Sequence, residues 1–233
     1  METQSKLFRR LGGLGIVCSA LFVAAMVLTG NQPGAGASSA TVLRFYHSHR
    51  ATQTAAVFVA AILAITFAFF LSALRRILSR SDDSHFLLTV VTLGGAVYTS
   101  GLLLMGVLGI ALVDAADKRV SGAAQTLNVL SGDTWVPVVT GLSMVALATG
   151  IATLRSGGLP RWLGWASIGL GILAVCGPLG AVAFLVTPVW TLAVGIVLLR
   201  STSTTDDLGE ESDDLARAET SSSGPVRHRA DVV

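Results

Sequence analysis

The chain has 233 residues, of which 52% are hydrophobic and 13% charged, with a mean hydropathy of +0.70. A soluble domain carries about a quarter charged residues, so this composition excludes an ordinary soluble fold and excludes disorder for most of the chain. Unevenly spread glycines exclude collagen and two cysteines exclude a disulfide scaffold, which leaves an all-α integral membrane protein.

Charge is distributed unevenly along the chain. Residues 201–233 hold eight acids against three arginines, a net of −5, while residues 1–200 hold thirteen basic against six acidic residues, a net of +7. The basic residues sit singly or in pairs at the ends of apolar runs, which does not suit nucleic-acid binding. Fourteen of the sixteen basic residues are Arg. Together with abundant Ala, Gly and Val, this suggests a GC-rich bacterial source.

About 20 mostly apolar residues are needed to cross about 30 Å of hydrocarbon, and the chain offers six such runs. After a short N-terminus (1–10), the first run spans 11–29. Lys6, Arg9 and Arg10 ahead of it, and Ala35-Gly36-Ala37 behind it, resemble a secretory signal, but the apolar stretch is longer than the usual 7–15 residues. An uncleaved span is therefore expected.

The loop that follows, 30–53, begins rich in Gly, Ser and Ala and ends in Phe45-Tyr46-His47-Ser48-His49-Arg50, a mixture suited to the headgroup zone. The second run, 54–78, ends in Arg75 and Arg76 with Arg80 just beyond. The third, 85–113, is about 43 Å long as a helix and must either tilt or project from the bilayer. Its Gly94, Gly95, Gly101, Gly106 and Gly109 offer the small surfaces that helix packing in lipid requires.

In the next loop Val120, Leu127 and Leu130 recur at helical spacing and predict a short interfacial helix, with Asp133 placed to cap the fourth run, 134–154. Pro160 suits the first turn of a fifth run, 160–177, and the sixth is 179–199. Trp135 is expected to anchor one interface, and Trp162 and Trp165 the other. The acidic tail, 201–233, lacks apolar residues to bury and is expected to be disordered.

Orientation follows from the basic residues at the run ends. With the N-terminus in the cytoplasm, nine of them (Lys6, Arg9, Arg10, Arg75, Arg76, Arg80, Arg155, Arg161, Arg200) lie inside and four (Arg44, Arg50, Lys118, Arg119) outside. The expectation is a multi-pass protein of the bacterial plasma membrane with both termini cytoplasmic.

The chemistry on offer is sparse. No ionisable group falls mid-span, which argues against a proton-coupled transporter. His47 and His49 lie a whole span away from His85, so a bis-histidine haem fails on geometry. Cys18 and Cys176 read as small buried hydrophobes. Catalytic residues and cofactors are therefore expected to be none. Two weaker arrangements stand beside that expectation. His47, His49, Asp114 and Asp117 would flank an extracytoplasmic metal, and Tyr98, Pro188 and Trp190 would line a pocket for a lipid or quinone.

The segment Leu159-Pro160-Arg161-Trp162-Leu163-Gly164-Trp165 resembles the inner-loop signature of multi-pass bacterial proteins of the domain of unknown function 4386 kind, as do Phe45-Tyr46 and the six-run layout over residues 8–200. The resemblance implies a six-helix topology and supplies no catalytic residue. Three functions compete. The first is a non-enzymatic accessory subunit in a larger membrane complex or homo-oligomer in the lipid bilayer. The second is a binder or carrier of a small apolar molecule, and the third is a metal-dependent enzyme using the His/Asp group.

Overall fold

Inside hydrocarbon, backbone N–H and C=O groups have no partners except one another, so apolar runs of this length must form helices. A computed structural model describes residues 2–79, 85–157 and 159–200, and the described residues are helical, without strands. The acidic tail and Arg80 lie outside the described residues.

Among the described residues eight helices follow in order: α1 (Glu2–Thr29), α2 (Ser39–Ser48), α3 (Arg50–Leu78), α4 (His85–Asp117), α5 (Ser121–Asp133), α6 (Trp135–Ser156), α7 (Arg161–Val175) and α8 (Gly180–Arg200). A 3₁₀ turn, Gly177–Leu179, joins the last two. Among the described residues five stretches are long and apolar enough to cross a membrane: Gly12–Thr29, Arg50–Leu78, His85–Asp117, Ser121–Ser156 and Gly180–Arg200. The protein is a membrane-embedded helix bundle. The expected fifth run, 160–177, is shorter as a helix than expected: α7 has 15 residues. Gly177 takes a left-handed φ of +57° and Pro178 has no N–H to continue the ladder.

Neighbouring spans run antiparallel. Thr29 at the end of α1 meets Gln53 at the start of α3, and along α4 Gly94 lies against Met144 and Val145 of α6 while Gly101, two turns on, lies against the earlier Val138. Gly150 of α6 lies against Gly164 of α7, and Gly12 of α1 against Leu199 of α8. The chain therefore returns to the end where it began. That end carries Arg75, Arg76, Arg155, Arg161 and Arg200, and is called the basic end below. The opposite one is called the cap end.

Close backbone approach organises the contacts. A Cβ on Gly94 would stand 2.6 Å from the Met144 Cβ and 3.0 Å from the Val145 nitrogen, while one on Gly141 would collide with the Tyr98 backbone. Without hydrophobic driving force between helices in lipid, such proximity supplies the dispersion and weak hydrogen bonds that hold spans together. The glycines of α4 are all used within the bundle: Gly94 and Gly101 face α6, while Gly95, Gly106 and Gly109 face α3.

Polar side chains within the spans find local partners. Thr66, Ser72 and Thr92 return their hydroxyls to carbonyls one turn back. Ser143 instead donates across to the Gly171 carbonyl at 2.8 Å, joining α6 to α7.

The length of α4 is resolved by its far end. Its last turns extend to Asp117 and build a second small core with α2 and α5, in which Val42, Tyr46, Leu112, Val113, Ala116 and Ala124 are buried. The predicted interfacial helix is thus α5, part of a cap. Asn128 of α5 donates to the Gly34 carbonyl at 3.0 Å, tying down the loop before α2. The helix α2 itself starts at Ser38, whose hydroxyl accepts from the Thr41 N–H. Asp133 does not cap α6 as expected. Thr134 holds that position with helical backbone and no side-chain cap, because α5 runs almost directly into α6.

Candidate functional site

At the cap end α1, α3, α4 and α8 separate around a cavity of about 250 Å³. Small residues on the facing helices leave the space: Ala25 on α1, Ala56 and Ala60 on α3, Gly106 and Gly109 on α4. Its floor is apolar, made by Phe22, Leu63, Leu102 and Phe184, with the Phe22 and Phe184 rings 4.8 Å apart. Met26 and Met105 form adaptable walls.

The rim is polar and is made of Thr29, Gly30, Gln32, Gln53 and Ser131. Gln53 is 4% exposed, although it sits at the head of an apolar helix. A buried carboxamide must be hydrogen-bonded, and this one is. Its Nε2 donates to the Thr29 carbonyl at 3.0 Å, and its Oε1 accepts from Gln32 Nε2 at 3.1 Å. An apolar chamber thus opens through a rim of amides and hydroxyls, an arrangement with room for an apolar chain and hydrogen-bonding groups at its mouth.

The residues expected to line a pocket lie deeper. Tyr98 is fully buried one turn of α4 below Leu102, its ring 4.7 Å from that of Phe67. Trp190 is buried edge-on to Phe70 and donates from Nε1 to Ser167 Oγ at 2.8 Å. Pro188 is buried and its carbonyl accepts from Thr191 Oγ1. Tyr98 and Trp190 belong to the main core, and none of the three residues lines the cavity. The Tyr98 hydroxyl has no hydrogen-bond partner among the described residues.

The expected metal residues gather only in part. Asp117 forms an ion pair with Arg50 at 2.9 Å and faces His47 Nδ1 at 3.7 Å. His49 turns away: its ring stacks on Phe45 and its Nδ1 lies 3.0 Å from the Phe45 carbonyl. Asp114 is exposed. Among the described residues no three His, Cys, Asp or Glu side chains converge as a ligand set. The guanidinium of Arg50 already neutralises Asp117, so the group acts as a clasp between the start of α3 and the end of α4.

Trp162 and Trp165 are more than half exposed at the basic end, on the outer surface of α7. Trp135 is half-buried at the cap end, where it packs over Gly180. Cys18 is buried as expected, whereas Cys176, the residue that ends α7, is exposed. Sequence reasoning missed Gln32, Gln53, Met26 and Met105. The available signal was Gln53 itself, an amide at the threshold of an apolar run that has to find partners.

Comparison with family models, with curated proteins and with solved structures finds no match to this chain.

Proposed function

We propose that this chain is a six-span protein of the bacterial plasma membrane, with both termini cytoplasmic, that binds an amphiphilic molecule and catalyses no reaction. The observation that carries the binding is the cavity, with its apolar floor and amide rim. At about 250 Å³ it exceeds the ~150 Å³ space that holds a benzene and falls just under the ~300 Å³ floor of drug-sized pockets. It suits one alkyl chain with its head at the rim.

Two observations support the topology. The nine-to-four split of basic residues supports a cytoplasmic basic end. The short fifth helix, α7 (Arg161–Val175), reaches about 22 Å at helical rise, most of the hydrocarbon thickness, with the 3₁₀ turn Gly177–Leu179 carrying the chain onward. The resemblance of Leu159–Trp165 to the inner-loop signature of domain of unknown function 4386 proteins accords with that layout. The accessory-subunit reading is weaker, because the small faces of the α4 glycines are occupied by α3 and α6 and leave no glycine of α4 for a partner.

Lipid analysis of the protein purified in mild detergent tests the reading. A stoichiometric amphiphile is expected, lost in Ala60→Phe, which fills the cavity, and retained in Phe58→Leu, which changes the outer surface of α3. A stoichiometric partner protein with no amphiphile would favour the accessory subunit instead.

A further inference from the structure

The cavity constrains the head of what it holds. Among the described residues lining it there is no Asp, Glu, Lys, Arg or His. The charges that flank Gln53 and Ser131 in sequence are committed or turned outward. Arg50, one turn before Gln53, is paired with Asp117, and Asp133, two residues past Ser131, is exposed. A carboxylate or phosphate head drawn to this rim would leave water without a counter-charge, and an unpaired charge in such surroundings is strongly disfavoured.

The rim offers neutral groups of both kinds. Each carboxamide has two N–H donors and a carbonyl with two lone pairs. The Gln32–Gln53–Thr29 chain uses only one donor of each glutamine, leaving further donor and acceptor capacity at the mouth. Hydroxyl heads, which donate and accept at once, match that set. The volume admits one chain.

Resting on the amphiphile-binding reading above, we infer that the ligand is an uncharged, hydroxyl-headed, single-chain lipid of the monoacylglycerol or long-chain alcohol class, held with its head between Gln32, Gln53 and Ser131 and its chain toward Phe22 and Phe184. The head selects by hydrogen bonding and by the penalty on charge, the chain by filling space between the methionines.

The experiment offers the full-length protein in detergent an equimolar mixture of monolaurin, laurate and lauroyl lysophosphatidylglycerol, and reads the retained lipid by native mass spectrometry. Monolaurin is expected to exceed each anionic lipid by at least about tenfold, as an unpaired charge demands. Ala60→Phe should abolish retention. Gln32→Lys, a change at an exposed loop residue that leaves the Gln53–Thr29 bond in place, should shift preference toward laurate. Equal retention of the three, or preference for an anionic lipid, with loss in Ala60→Phe would overturn the neutral-head inference and leave the cavity reading standing. Retention that survives Ala60→Phe, or no retention at all, would overturn the cavity reading itself.

Discussion

Gln53 of α3 donates from Nε2 to the backbone carbonyl of Thr29 at 3.0 Å, and so caps the C-terminal end of α1 from a neighbouring helix. The last carbonyls of a helix have no partner of their own. One buried side chain thereby closes a helix, joins two spans and shapes the mouth of the cavity.

Gln53→Leu keeps the bulk and removes both bonds, leaving the Thr29 carbonyl and the Gln32 amide without their partner. A loss of about 1–3 kcal/mol is expected for orphaning such groups. Thermal unfolding in detergent measures it. An unchanged midpoint would show that water replaces the amide at no cost.

The glycines of α4 make a paired prediction. A Cβ on Gly101 would stand 2.8 Å from the Val138 Cγ2 and 3.1 Å from the Val138 nitrogen, the latter a backbone atom with little room to give. Gly101→Leu should therefore separate α4 from α6 and destabilise by about 1–3 kcal/mol or more. Val107, 61% exposed on the outer surface of the same helix, should accept Leu without effect. Equal yields and midpoints for the two variants would remove the glycine contact from the account of packing.

Tyr46 gives the cap a dependence on alkaline pH. Burial in the small core of α2, α4 and α5 pushes its phenol up to about 12. A raised folded pKa favours the neutral form, so this contribution to stability is complete below the unfolded value near 10 and is lost as pH rises from there through about 12. In a Tyr98→Phe background, tyrosinate absorbance follows Tyr46 alone, since the chain has two tyrosines. Ionisation of the folded protein near pH 10 would mean that the cap is open to water.

Ser121 is exposed at the start of α5, at the cap end. In a cysteine-replaced background, Ser121→Cys should react with an impermeant maleimide in intact cells. Reaction only after permeabilisation would invert the topology and place the cavity mouth in the cytoplasm.

Much of the architecture was legible in the residues. Runs of apolar side chains compel helices in lipid, so the long helices and their approximate limits follow from hydropathy alone. Val120, Leu127 and Leu130 announce α5, and Arg75, Arg76, Arg155 and Arg161 mark one end of the bundle. These features are local, set by spacing along a few turns. What the tertiary structure decided is which faces meet and where they fail to. Asp117 and Arg50 read as separate interfacial residues until the ends of α4 and α3 meet, and Asn128 finds its partner at Gly34, 94 residues away. The sequence pointed to a pocket at Tyr98, Pro188 and Trp190, where large side chains fill the core, whereas the observed cavity lies toward the cap end. A cavity is space left between helices, created by Ala25, Ala60 and Gly106 on three different spans. No spacing within one span can encode it, because it exists only once their small faces are brought opposite one another.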